Sequence, residues 1–243
     1  MGRTSRVAVI GALLLGALCL SGPVAAQQRP DIADQIAKTY GFDSWGQVEA
    51  IRYTFNLDAG KLKLHRSWVW EPRTDTISYD GPDKDGKPVK VTYKRSALAT
   101  QSPFVKEMVD PGFFNDQYWL LFPFHLIWDT GATITDAGMQ KLPLGKGKAR
   151  KVVVQYPSTG GYLPGDTWAI FVGKDNRIQE LAFKHGGSAK PGVLLATWEG
   201  YKKAGPILVS TKHRGKADGK PFTESLSNVA VKLTGSDSWM EAK

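Results

Sequence analysis

The chain has 243 residues, 42% of them hydrophobic and 23% charged, with 32 basic against 23 acidic side chains and one cysteine. That apolar share is too large for an intrinsically disordered protein, and a lone cysteine rules out a disulfide framework or a thiolate metal site. The net charge of +9 points toward acidic partners or anionic surfaces.

In chain order, the first feature is a secretory signal. Arg3 and Arg6 precede an apolar run from Val7 to Leu20, and Val24-Ala25-Ala26 supplies small residues for cleavage. The run is short for a membrane anchor and stops at Ser21-Gly22-Pro23. Leu18 stands before Cys19 where a lipid-attachment signal needs a small residue, so no lipidation is expected. Cleavage after Ala26 leaves 217 residues (243 − 26) with 30 basic and 23 acidic side chains, a charge of +7 and no cysteine. Residues 27–243 are expected to form one domain, secreted or periplasmic, stabilised by its core alone. For an exported chain without a recognisable binding motif, no nucleic-acid partner is expected.

A helix is predicted over Asp31–Tyr40, with Asp31 as cap, Ile32, Ile36 and Tyr40 on one face, and Gly41 ending it. Strand signals follow. Ile51, Tyr53, Phe55 and Leu57 alternate with polar residues, and beyond the Asp58-Ala59-Gly60 turn Leu62, Leu64, Trp68 and Trp70 form a second dry face. Further strands are predicted at 74–80 and 87–94, then an irregular to helical stretch, with Pro103 suited to a first helical turn. From residue 150 strands are expected at 151–156, 166–173, 176–185, 193–203, 206–215 and 222–232. Short connections throughout predict antiparallel pairing.

Between the two strand-rich parts lies the run Phe113–Trp128, which is rich in aromatic and aliphatic residues and interrupted by Pro123. With Asn115 or Asp116 as cap, it reads as a bent helix carrying Trp119, Phe122 and Leu126 on one face. The fold class expected is therefore mainly β with few helices (α+β). Its layout is a curved antiparallel sheet or half-barrel, closed by the N-terminal helix and by this central plug. The segment is either ordinary core or the lining of an apolar pocket. In the second case the ligand-binding residues are Trp68, Trp70, Tyr118, Trp119, Phe122, Phe124, Leu126 and Trp128.

No catalytic constellation is read from the sequence, and no cofactor or metal site is assigned. His125 and Asp129 lie four apart and with Asn115 and Asp116 offer metal-ligating atoms, but a hydrogen-bonded histidine at the end of the plug is the simpler reading. His65 and His213 fall on faces that look polar and solvated. His185-Gly186-Gly187-Ser188 has the look of an esterase oxyanion loop, yet the Gly-x-Ser-x-Gly turn that would carry a nucleophile is missing.

The layout resembles the LolA/LolB-type lipoprotein-carrier fold, in which helices cover the apolar cavity of a curved sheet. Four stretches carry a second resemblance: Tyr40-Gly41 with Trp45, Trp68-Val69-Trp70, the run Asn115-Asp116-Gln117-Tyr118-Trp119-Leu120-Leu121-Phe122-Pro123-Phe124, and Gly160-Gly161-Tyr162-Leu163-Pro164-Gly165-Asp166. They are similar to an uncharacterised family of exported bacterial proteins, which implies fold and compartment but no activity. The leading expectation is an exported protein that binds a hydrophobic or lipid-like ligand, with basic loops that meet an anionic membrane surface. The alternatives are an envelope interaction or assembly module with a self-filled core, and a secreted hydrolase using His125 or His185.

Overall fold

The computed structural model describes residues 29–162, 164–187 and 192–243. The expected signal segment, Cys19 and Ser188 lie outside them. After helix α1 (Asp31–Thr39) come four strands joined as hairpins: β1 (Val48–Ala59), β2 (Leu62–Glu71), β3 (Thr76–Pro82) and β4 (Pro88–Lys94). Helix α2 (Asp110–Trp128) follows. A second run of hairpins holds β5 (Thr133–Lys141), β6 (Lys148–Gln155), β7 (Thr167–Val172), β8 (Ile178–Lys184) and β9 (Val193–Thr197). A separate ribbon of β10 (Lys202–Ala204) and β11 (Ile207–Val209) precedes β12 (Lys212–Ala217), β13 (Lys220–Leu233) and β14 (Trp239–Glu241).

The two runs join where β1 pairs with β13, giving the order β4-β3-β2-β1-β13-β12-β9-β8-β7-β6-β5, with β14 beside β13. Every pairing is antiparallel. The sheet curves without closing into a barrel, and β4 and β5 are its edges. The mainly β architecture with a curved antiparallel sheet and a central helix is thus the one the sequence predicts.

This topology explains α2. The chain leaves one edge of the sheet at β4 and must reach the opposite edge at β5. A helix of 19 residues covers about 28 Å at about 1.5 Å per residue, and it crosses the concave face. Fourteen of its residues are buried, because a helix with large apolar side chains all round can only be stable inside, and its buried polar residues are hydrogen-bonded. Its regular geometry breaks at Leu121 (φ −119°, ψ 18°). Pro123 has no N–H for the carbonyl of Trp119, and its ring crowds that turn. The expected bend is therefore present.

Several expectations need correction. The helical run begins at Pro103, passes through a π turn over Val105–Val109 and continues into α2. Asn115 and Asp116 consequently sit inside the helix and do not cap it. In α1 the cap position is Pro30, with no side-chain cap, and Asp31 sits in the first turn, where the helix dipole favours its charge. Leu62 is 52% exposed, because it lies at the tip of the β1–β2 hairpin and not over the concavity. The stretches 193–203 and 206–215 each split into two strands, the first around Gly200, which has positive φ, and the second at Ser210-Thr211. Gly41 ends α1 as expected, with φ +91°. A Cβ there would stand 2.4 Å from the Pro206 carbonyl oxygen, so no larger residue fits.

Candidate functional site: the plug helix and the pocket at its flank

Alternation along β2 points Leu64, Arg66, Trp68 and Trp70 toward the concave face. Arg66 thus enters the interior, where its Nε donates to Asp116 Oδ2 at 2.8 Å and its Nη2 to the other carboxylate oxygen. The Trp68 indole N–H adds a bond to Asp116 Oδ2 at 2.8 Å, and Asn115 Nδ2 donates to Oδ1 at 3.0 Å. Burial pushes the Asp116 carboxyl up to about 6, against the pull of Arg66 and the other donors.

The helical turn of about 100° per residue sends the rest of the motif elsewhere. Gln117 bonds the His125 Nε2 side, and His125 Nδ1 lies 3.1 Å from Asp129. The Tyr118 hydroxyl donates to Asp129, as does the Tyr156 hydroxyl at 2.7 Å. Trp119 stacks on Trp198 with ring centres 5.9 Å apart. His125 is therefore the hydrogen-bonded histidine expected at the end of the plug. Asn115 and Asp116 face Arg66 while His125 and Asp129 face Tyr118, so the structure does not bring that tetrad together. Among the described residues, no three His, Cys, Asp or Glu are placed to hold a metal ion, and no helix is long and apolar enough to cross a membrane.

The predicted ligand-binding residues fall into three groups. Trp70, Phe124 and Trp128 surround Trp45 at ring distances of 5.3–5.7 Å. Tyr118 and Phe122 lie against Trp168 on β7, at 6.1 and 4.7 Å, and Trp119 also meets it. Trp68 packs on Tyr79 and Phe113. Leu126 is buried within α2. Phe122 is wholly buried and Trp119 is 6% exposed. These residues fill the concavity themselves.

One pocket opens against the flank of α2. Its volume is 270 Å³, and its walls include Phe114, Tyr118, Tyr156 and Tyr162, with Asp129 and Gly160. Tyr162 closes one side by donating to Asp110 and by packing, tilted by 41°, against Phe114 at 4.7 Å. Asp110 also accepts from Tyr93 at 2.7 Å and from Arg95 at 3.0 Å. Burial raises the Asp129 carboxyl, but bonds from His125, Tyr118 and Tyr156 outweigh it and hold its pKa below the usual carboxylate value. Burial lowers the His125 pKa, with Asp129 opposing. Of the predicted residues only Tyr118 lines this pocket. The others on its wall come from three separate stretches, of which Gly160, Gly161 and Tyr162 lay in a motif singled out in the sequence.

A second polar set lies deeper. His213 on β12 is wholly buried, which overturns the expectation of a solvated residue: alternation places it opposite Glu224 of β13 on the inner face. His213 Nε2 and Glu224 Oε1 are 4.0 Å apart, and neither they nor the buried Tyr53 hydroxyl has a hydrogen-bond partner among the described residues. His185 pairs with Asp166 at 2.8 Å, and the same carboxylate oxygen takes the Gly186 N–H, so this pair pins a turn.

No family model and no curated protein matches the chain. Three solved structures are similar in shape. A DUF1329 family protein of Desulfovibrio piger has a TM-score of 0.48 at 10% identity, over 85% of this chain and 94% of that one. A domain provisionally described as an outer membrane lipoprotein-sorting protein, from Vibrio parahaemolyticus, scores 0.43 at 10% identity, covering 85% and 95%. The Mycobacterium tuberculosis lipoprotein LppX scores 0.32 at 8% identity, covering 83% and 96%. Likeness this distant bears on neither ligand nor activity.

Proposed function

We propose that residues 27–243 form an exported, periplasmic binding protein for an apolar or lipid-like ligand, and that it carries such ligands within the cell envelope. The observation that supports this reading is α2: a single bent helix, with large apolar side chains on every side, is the main cover over the concave face of a sheet whose edges stay apart. The ligand's chains would take the place of Trp119, Phe122 and Leu126, with the 270 Å³ pocket beside Tyr118 as the point of entry. Burying one large apolar side chain is worth roughly 1.5–3 kcal/mol, so the helix yields only to a ligand that replaces its contacts. Basic hairpin tips would bring the protein to anionic lipid surfaces.

The test is to purify the mature protein from its host, extract it with organic solvent, and titrate it with a fluorescent fatty acid. Stoichiometric lipid in the extract, or saturable uptake of the probe, is the expected result. Neither appearing would sink the reading.

The packing of Trp119 and Phe122 favours one second reading, an assembly module whose core is filled by its own side chains. It predicts no uptake of the probe and retention of a protein partner instead.

A further inference from the structure

Four aromatic rings line the pocket at the flank of α2, and the one charged group on its wall is the Asp129 carboxylate. Among the described residues, Asp129 forms an ion-pair contact only with His125. That histidine is buried, and burial lowers its pKa; Asp129 is therefore held by hydrogen bonds from Tyr118, Tyr156 and His125, with no lysine or arginine paired to it among the described residues. Arg95 lies 5.6 and 5.7 Å from the ring centres of Phe114 and Tyr162, but it is committed to Asp110. A chain with a charge of +9 thus keeps one negative group at the side of an aromatic recess, and that group is 22% exposed.

From this arrangement we infer that the pocket binds a substituted-ammonium group of the choline or ethanolamine kind. The positive charge would sit against Asp129, and its methyl or methylene surface would fill the space between Tyr118, Tyr156 and Tyr162. An aromatic site with a carboxylate attracts such a cation by charge and by ring quadrupole together, and the same carboxylate repels an anionic group. The recess suits the size as well. Its 270 Å³ equals the share of about nine liquid waters at about 30 Å³ each, enough for a choline-sized group. The inference rests on the ligand reading above only for where an attached chain would go; the pocket is open with α2 in place.

The experiment uses the mature protein and three comparisons, followed by intrinsic tryptophan and tyrosine fluorescence and by calorimetry. The first sets choline against its uncharged isostere, in which a tert-butyl group replaces trimethylammonium. Choline should bind at least about tenfold tighter, the scale of a desolvated cation–π contact plus one carboxylate. The second is Asp129→Asn, which should erase that preference. Because this variant disturbs the bonds from Tyr118 and Tyr156, the wild-type preference stands as an independent readout. The third sets dodecylphosphocholine against dodecyl maltoside. If choline wins and dodecylphosphocholine binds tighter still, the group belongs to a lipid. If choline wins and the chain adds nothing, the site serves a free amine; this inference stands and the apolar-ligand reading fails. If the isostere matches choline, or neither binds, the inference is overturned, whatever the two detergents do.

Discussion

Asp116 and Arg66 show what one buried charge demands. Asp116 is wholly buried and takes four donated bonds, so each partner depends on the other to offset its desolvation. Asp116→Ala or Arg66→Ala is expected to cost about 3–5 kcal/mol, read as a fall in the urea midpoint. A double variant that places apolar residues of similar size at both positions should recover most of it, and additive losses in that cycle would refute the pairing. His213 makes a second prediction. Burial pushes its imidazole down to about 3, below the unfolded value of about 6.5. Between those values the unfolded chain binds the extra proton, so the contribution of His213 is complete above about pH 6.5 and is lost as pH falls toward 3. Glu224, facing it, and Asp116 are raised by burial and act in the opposite direction. Their contributions are present at acid pH and decline as pH rises, for Asp116 through about 6. Comparing wild type with His213→Gln isolates the histidine: the advantage of the wild type should shrink as the pH of urea unfolding is lowered from 6.5 to 3. A pH-independent difference would contradict a neutral buried His213.

At the scale of elements, α2 trades stability against ligand access. Phe122 is wholly buried against Trp168, and Phe122→Ala is expected to cost about 3–5 kcal/mol. If a ligand displaces α2, weaker packing of the helix also lowers the cost of displacement. Uptake of an apolar probe by this variant should then tighten by up to on the order of a hundredfold, measured by fluorescence titration beside the loss in unfolding free energy. A variant that loses stability with unchanged or weaker uptake would argue for a core that never opens. The helix itself was legible in the sequence, since beyond the signal-like run Val7–Leu20 nothing in the chain is so apolar, and Pro123 announced its bend. The faces of β1 and β2 were legible through their alternation, but Arg66, a charged residue within the dry face of β2, was not read as an interior one. Its partner stood fifty residues away and could not be read. β5 was not read because Thr133–Lys141 runs along an edge with almost every residue exposed, and one buried residue, Ile134, leaves no alternation to read. Three-residue β14 is too short to leave a pattern. The pocket at Asp129 draws on α2 and on two later stretches, and only the folded chain juxtaposes them.

Across the whole molecule, the seam between β1 and β13 joins the first strands to the last. Its register sets Asp58 opposite Thr223, so the tips of the β1–β2 and β12–β13 hairpins stand side by side and line one groove. The exposed side chains there include Lys61, Lys216 and Lys220, together with Leu62 at 52% exposure. Lys63 is bridged to Asp58 at 2.8 Å, and the Asp218 carboxylate accepts the Val193 N–H, so part of the local charge is internally matched while those three lysines form no salt bridge among the described residues. Three lysines beside one exposed leucine form a small surface suited to anionic lipid: the charges draw it to the head groups and the apolar side chain enters the interface. Each lysine near such a surface contributes about 1 kcal/mol. The triple variant Lys61→Gln, Lys216→Gln, Lys220→Gln should therefore partition to phosphatidylglycerol vesicles on the order of a hundredfold more weakly than wild type. Raising the salt should weaken the wild type toward the same level, because exposed charges are screened over about a Debye length. Vesicle co-sedimentation of both proteins, with neutral phosphatidylcholine vesicles as the comparison, checks this. Equal binding to both lipids by the wild type would mean that these tips do not recognise charge. Equal loss on both lipids in the triple variant would mean that the lysines act through the fold instead. If the contrast holds, the route to ligand is electrostatic at the hairpin tips and apolar at α2, two separable steps on one open sheet.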